Sequence, residues 1–113
     1  MAHLVTAVVK PFKLEEVKEA LRLAGVLGMS VMEIQGFGRQ GGKSETFRGS
    51  EYKLEFVPKV RVEVIVPSGE AERIMELIAA AARTGKIGDG KIWTYALDDV
   101  MRVRTGEKGD DAI

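Results

Sequence analysis

The 113-residue chain contains no cysteine, so it can build neither a disulfide framework nor a thiolate metal site. Its single histidine, His3, lies near the N-terminus, which argues against a histidine-rich metal centre. Net charge is zero, from 17 basic and 17 acidic residues, so the basic excess of a general nucleic-acid or membrane-surface binder is missing. No apolar run approaches the roughly 20 residues of a membrane span, and the N-terminus lacks the apolar stretch of a signal peptide. A soluble cytoplasmic protein with no direct membrane insertion is expected. No serine sits in a nucleophile motif, and with neither cysteine nor a second histidine the evidence for hydrolytic or transfer chemistry is thin.

What is present is a 45% hydrophobic composition, enough for a core in one domain spanning residues 1–113. A domain this small leaves much surface exposed and stands to gain stability by oligomerising. The valine-rich run Leu4–Val9 reads as a buried strand stopped by Pro11. Leu14, Val17, Leu21 and Ala24 recur at helical spacing over residues 13–24, with charges on the other face and Gly25 as the stop. Met29–Gln35 reads as a second strand. In the third, Val60, Val62, Val64 and Val66 alternate with Arg61, Glu63 and Ile65. Ser68 or Gly69 is expected to cap a second helix that buries Ala71, Ile74, Met75, Ile78, Ala81 and Ala82 and ends near Arg83. Lys91–Leu97 is a fourth strand carrying Trp93 and Tyr95. Met101–Thr105 is a last short extended piece, and the polar tail 106–113 is expected to be mobile. The resulting order is an α+β, ferredoxin-like βαββαβ sandwich with a short extra C-terminal strand and both helices on one sheet face. The strands are apolar on both sides, so a homo-oligomer is expected to cover the second face.

Between strands two and three lies a long glycine-rich connection, Gly36–Tyr52, with almost no aliphatic side chains. Such a loop is usually a binding element or is ordered by a partner. Gly36-Phe37-Gly38-Arg39-Gln40-Gly41 matches G-x-G-x-x-G, but no helix follows, which excludes a Rossmann site. What survives is the capacity of flexible backbone N–H groups, helped by Arg39 and Lys43, to hold an anion. A second cluster, Thr84–Lys91, has Gly88 and Gly90 to admit a phosphate closely and Lys91 to supply charge. Arg102 and Arg104, two apart on an extended piece, share a face. Taken singly, each is also an ordinary turn or solvated edge. Together with Arg39 and Lys91 they read as a phosphate cradle. Asp89 and Glu63 are the available paired carboxylates, which keeps open a small nucleotide hydrolase or phosphotransferase with Asp89 as base. Exposed Tyr52, Ser44, Thr46 and Ser50 look more like substrates of a modifying enzyme than like catalysts. An RNA-binding βαββαβ module needs stacking aromatics on its middle strands, and the third strand offers none.

The same residues carry a resemblance to the PII family of nitrogen regulatory proteins over essentially the whole chain. The strings are Val9-Lys-Pro-Phe-Lys-Leu14, Gly36-Phe-Gly-Arg-Gln40, Arg48-Gly-Ser-Glu-Tyr52, Phe56-Val-Pro-Lys59, Thr84-Gly-Lys-Ile-Gly-Asp-Gly-Lys91, Arg102-Val-Arg-Thr-Gly-Glu107 and Asp111-Ala-Ile113. The resemblance implies a cytosolic homotrimer with nucleotide sites between subunits, where ATP and ADP compete. It implies that 2-oxoglutarate binds with ATP and Mg²⁺ at the base of the effector loop, about residues 38–55, called the T-loop. The glycine turn 84–91 and a C-terminal loop, 102–113, complete the site. The implied role is a regulator of nitrogen, carbon and energy status, not an enzyme. Its implied partners are ammonium transporters, which recruit it to the membrane, and nitrogen-assimilation enzymes and their regulators, including nucleotidyltransferases and a sensor kinase.

By the same resemblance, Arg39, Gly88, Asp89, Gly90, Lys91, Arg102 and Arg104 contact phosphate. Ser30, Gly36, Phe37, Gly38, Glu63 and Val64 line the nucleoside cleft. Gln40 coordinates Mg²⁺. Lys59 pairs with the distal carboxylate of 2-oxoglutarate, helped by the backbone of Gly38, Arg39, Gln40, Gly41 and Gly42. Tyr52 stands at the nucleotidylylation position (uridylylation or adenylylation) and Ser50 at a phosphorylation position. Phe47 replaces a common family tyrosine, and Ser30 a common threonine. A divergent family member answering to bicarbonate or cyclic nucleotide is a further alternative, against which Gln40 and Lys59 speak.

Overall fold

The computed structural model describes residues 1–38 and 55–113. Its elements are β1 (His3–Val9), α1 (Leu14–Leu23), β2 (Ser30–Gly36), β3 (Val57–Val66), α2 (Ala71–Ala82) and β4 (Lys91–Ala96), with short 3-10 turns at Pro11–Lys13 and Gly109–Ala112. The strands form one sheet in the order β2-β3-β1-β4, with every neighbouring pair antiparallel. β3 is inserted between β1 and β2, which makes this the ferredoxin-like arrangement expected from the sequence.

Strand alternation decides where the core lies. Val5, Ala7 and Val9 stand opposite Val64, Val62 and Val60, so both sets share one face of the sheet. Those residues are all buried, together with Val17 and Leu21 of α1 and Ile74, Ile78 and Ala82 of α2. The two helices therefore lie side by side on that face. α1 ends as the sequence indicates. Gly25 takes φ 90°, the Gly25 N–H donates to the Arg22 carbonyl at 3.1 Å and the Val26 N–H to the Leu21 carbonyl at 3.0 Å. This is a left-handed C-terminal cap that a side chain at position 25 would strain.

The start of α2 departs from expectation. Glu70 occupies the cap position without a side-chain capping bond. Neither Ser68 nor Gly69 caps the helix, because the Ser68 N–H and hydroxyl both donate to the Asp110 carboxylate, at 3.2 Å each. That contact also corrects the mobile tail: residues 109–112 form a 3-10 turn tied to the β3–α2 connection. The extra extended piece at 101–105 reduces to a single antiparallel bridge, Met101 with Lys108, followed by a turn. In that turn the Arg102 N–H donates to the Glu107 carbonyl at 2.9 Å and the Gly106 N–H to the Arg102 carbonyl at 2.8 Å. Arg102 and Arg104 therefore do not share a face of a strand.

On the second sheet face, register aligns Tyr95, Leu4 and Ile65 in one row and Trp93, Thr6, Glu63 and Ser30 in the next. Trp93, Tyr95, Ile65 and Met32 are all exposed. Thr6 is buried and donates to Glu63 at 3.3 Å, while Arg61 pairs with the same carboxylate at 2.8 Å. No helix among the described residues is long and apolar enough to cross a membrane.

The core assignment predicts a contrast between two aliphatic truncations. Ile78→Ala, at a fully buried site, should cost about 2–5 kcal/mol of unfolding free energy. Leu27→Ala, at a site 93% exposed, should change it by less than about 0.5 kcal/mol. Equilibrium urea unfolding of both variants checks this, and equal costs would contradict the placement of the core.

Candidate ligand-binding site

The turn from Thr84 to Lys91 is rich in glycine, which does not hold a shape by itself. Its shape comes from Asp89. That carboxylate accepts the Thr84 N–H and the Gly85 N–H at 2.8 Å each, and also the Thr84 hydroxyl. Lys10, just beyond β1, closes the clamp at 3.2 Å from Asp89 and donates to the Thr84 hydroxyl oxygen at 3.1 Å. The Thr84 hydroxyl, followed by these backbone amides and Lys10, holds the Asp89 carboxyl well below the usual carboxylate range, with burial opposing only in part. A second constraint fixes the turn to the sheet. A Cβ at Gly90 would lie 1.7 Å from the Val8 carbonyl oxygen, and its φ is 104°. Only glycine lets the turn approach β1 this closely.

Beside the clamped turn is a cleft of about 620 Å³. One wall is the turn, from Lys86 to Lys91; the other is the end of β2, Gly36 to Gly38. Val8, Trp93 and Lys59 form the rest of the lining. Lys59 is only 8% exposed and donates to the Gly88 carbonyl. Among the described residues this ammonium is held by a carbonyl and not by a carboxylate. Its pKa is lowered, chiefly by burial and further by the charge of Lys10, while Asp89 acts the other way. A buried cation in this state favours any anion that enters. Phe37 and Phe56 meet edge-on at 5.5 Å and join the two chain ends at the rim. The cleft thus offers backbone amides, a buried ammonium and a free lysine, Lys91, to an anionic ligand.

Of the residues singled out from the sequence, Gly36, Phe37, Gly38, Lys59, Gly88, Asp89, Gly90 and Lys91 come together in this cleft. Arg39, Gln40, Gly41, Gly42, Ser50 and Tyr52 lie outside the described residues. Ser30, Glu63, Val64, Arg102 and Arg104 are not among the residues lining it. Ser30 and Gly36 stand at opposite ends of β2, six residue steps apart, or about 20 Å. Arg102 and Arg104 follow the far end of β4 from Lys91. The Val64 side chain points into the core at 1% exposure, away from the cleft. Glu63 and Asp89 do not pair. Glu63 is taken by Arg61 and Thr6, and Asp89 by Thr84, Gly85 and Lys10.

Thr84, Lys86, Ile87 and Trp93 fell within or beside the glycine cluster picked out from the sequence but were given no role there, and Val8 and Lys10 were not singled out. Strand alternation already puts Val8 and Trp93 on the face away from the helices, so that signal was available. Nothing local linked Lys10 to Thr84, which lies 74 positions away.

The clamp predicts a pH dependence. A carboxyl whose folded pKa lies below its unfolded value, about 3.9, stabilises the fold above that value. That stabilisation is lost as pH falls through the folded pKa. Thermal melts of the native chain and Asp89→Asn should therefore differ most near neutral pH, with the native chain higher, and converge as pH drops from about 4 toward 2. Parallel curves would contradict the clamp.

A protein-family model described as nitrogen regulatory protein P-II matches residues 2–107. The nitrogen regulatory protein P-II of Rhodospirillum rubrum is 52% identical over 109 residues, which is 96% of this chain and 97% of that one. Its counterpart from Azospirillum brasilense is 53% identical over the same shares. Among solved structures, Arabidopsis thaliana PII bound to citrate superposes with a TM-score of 0.81 at 37% identity, covering 99% of this chain and 92% of the plant chain. A match across nearly the full length in sequence, together with a shared fold, shows that the chain belongs to the nitrogen regulatory protein P-II family.

Proposed function

We propose that this chain is a sensor subunit that reads ATP against ADP, and 2-oxoglutarate in the presence of Mg²⁺ATP, and passes the result on through residues 38–55. The observation that carries the reading is Lys59, a buried ammonium with a carbonyl as its hydrogen-bond partner, on the wall of a cleft edged by glycine amides. A dicarboxylate entering the cleft supplies the negative charge that burial withholds from Lys59. The turn amides of Gly88 and Gly90, with Lys91, suit a polyphosphate. That the solved plant relative carries citrate supports a polycarboxylate effector.

The dispersal of the expected contacts supports an oligomeric site. Arg102 and Arg104 follow the end of β4 opposite Lys91, so a single subunit holds them about a strand's length from the Gly88–Lys91 turn. A neighbouring subunit brings its own copies to this cleft if each subunit sets one end of its sheet against the other end of the next. Such head-to-tail contact closes into a ring, here a homotrimer. The exposed sheet face with Met32, Ile65, Trp93 and Tyr95 is the apolar surface such a ring covers.

For Mg²⁺ the fit is specific. Among the described residues no group of three acids or histidines can hold a metal ion, and the one carboxylate in the cleft, Asp89, is committed to its turn. The chain's own ligand in this reading is Gln40, as the family resemblance implies, with phosphate and the 2-oxo acid supplying the remaining oxygens. A Mg²⁺ held there would supply charge neutralisation for the phosphates, and a nucleotide and a 2-oxo acid sharing it would each raise the affinity of the other. ADP cannot complete the oxygen shell. The effector loop answers by a shift of populations. Its partners in this reading are ammonium transporters and nitrogen-assimilation enzymes with their regulators, and Tyr52 or Ser50 is the position a modifying enzyme reaches. The depressed pKa and full engagement of Asp89 make it a poor general base, so the hydrolase alternative gains no support.

Isothermal titration of 2-oxoglutarate into the protein with Mg²⁺ATP, with Mg²⁺ADP and without nucleotide tests the reading. Heat is expected with Mg²⁺ATP alone. Lys59→Met should remove that heat while the variant stays folded by circular dichroism, because the substitution also removes a buried charge. No heat in any sample, with the protein folded, would overturn the 2-oxoglutarate assignment.

A further inference from the structure

Arg102 and Arg104 have the same chemistry but different surroundings. The Arg102 guanidinium donates to the Glu107 carboxylate at 2.7 Å and to the main-chain oxygen of Ile113 at 3.2 Å. Glu107 is itself held, because the Thr105 hydroxyl donates to the same carboxylate at 2.8 Å and its main chain pairs with that of Arg102. Arg104 is exposed and has no ion-pair partner among the described residues. The segment carrying all of these is also anchored by the Met101–Lys108 bridge, by the Gly109 N–H on the Val100 carbonyl at 2.9 Å and by Asp110 on Ser68.

We infer that Glu107 is a resident counter-anion for Arg102, so that an anionic ligand reaching Arg102 must displace it, whereas Arg104 is open from the start. This rests on the phosphate-binding reading of the two arginines above. The physical grounds are geometric and electrostatic. A guanidinium donating to a carboxylate and a main-chain oxygen has used the edges it would turn toward a phosphate. A phosphate carries more charge than one carboxylate and offers more acceptor oxygens, so it wins the exchange, but at a cost in affinity equal to the pair it breaks. The pair is half-exposed, so that cost is small. Glu107 therefore sets the affinity and also couples ligand arrival to loosening of the 102–107 turn at the start of this segment, because the same carboxylate holds that turn closed through Thr105. The two arginines thus divide the work: Arg104 attracts the anion, and Arg102 exchanges partners on arrival.

The test is equilibrium binding of ADP without magnesium to the native chain, Glu107→Gln, Glu107→Asp and Arg104→Gln, with amide hydrogen exchange of residues 102–107 followed in parallel. Glu107→Gln should bind ADP roughly two- to fivefold more tightly, the weight of a half-exposed ion pair. Its 102–107 amides should exchange faster before ligand is added and change less on binding. Glu107→Asp should return toward native affinity, which separates loss of the counter-charge from loss of packing. Arg104→Gln should bind more weakly with native exchange in that turn. A merely structural role for Glu107 predicts weaker binding in Glu107→Gln, and that result, or unchanged affinity, overturns the proposal. Failure of the native chain to bind ADP would instead overturn the phosphate-binding reading on which it rests.

Discussion

The site depends on a buried ammonium that has no carboxylate partner among the described residues. Lys59 sits at the start of β3 where that strand passes under the glycine turn, and its hydrogen bond goes to the Gly88 carbonyl. Burial weakens its hold on a proton, Lys10 weakens it further, and the distant help of Asp89 does not cancel both. A protein seeking only stability would replace such a residue with an apolar one of similar length. Its place in the wall of a cleft gives the cost a use in the proposed reading, where an anionic ligand supplies the missing charge. The rest of the local structure keeps that arrangement from relaxing. Asp89 holds the turn from one side through Thr84, Gly85 and Lys10, and the close pass of Gly90 against Val8 holds it from the other.

The ferredoxin-like sheet then divides the recognition chemistry between its two ends. β1 and β4 run antiparallel, so the turn before β4 meets the end of β1, and the segment after β4 meets its beginning. Lys59, the glycine turn and the mouth of the 39–54 connection collect at one end. Arg102, Arg104 and Glu107 collect near the other, where Asp110 reaches Ser68. No rearrangement of side chains brings the two groups together across the length of a strand. In the proposed reading assembly of copies does so, which would link the exposed apolar sheet face to ligand binding.

Much of this was legible in the sequence, for identifiable reasons. The valine alternation from 60 to 66 gave a period that only a one-sided strand satisfies, and the model buries all four valines. The stop at Gly25 was legible because a left-handed cap needs that residue. Met101 to Arg104 misled for the opposite reason. Its alternation was real, but Val103 is 96% exposed, so no buried face was there to enforce an extended strand, and Gly106 with Glu107 closed a turn instead. The tail read as loose because its tie to the β3–α2 connection, Asp110 on Ser68, joins positions 42 apart and leaves no local mark. The Lys10 clamp was hidden in the same way. Within the candidate site, glycines and charges announced themselves by type, whereas the aromatic and aliphatic lining, Trp93 and Val8, emerged only once strand register was known.

The central claim is that the clamped glycine turn presents its amides to the phosphates of a bound nucleotide. Residue-resolved amide hydrogen exchange on the native chain, with and without Mg²⁺ATP, addresses it directly. Slowing by about tenfold or more at Gly88, Gly90 and Lys91, with the core strands unchanged, is the expected result. Nucleotide binding that leaves those three amides untouched would contradict it.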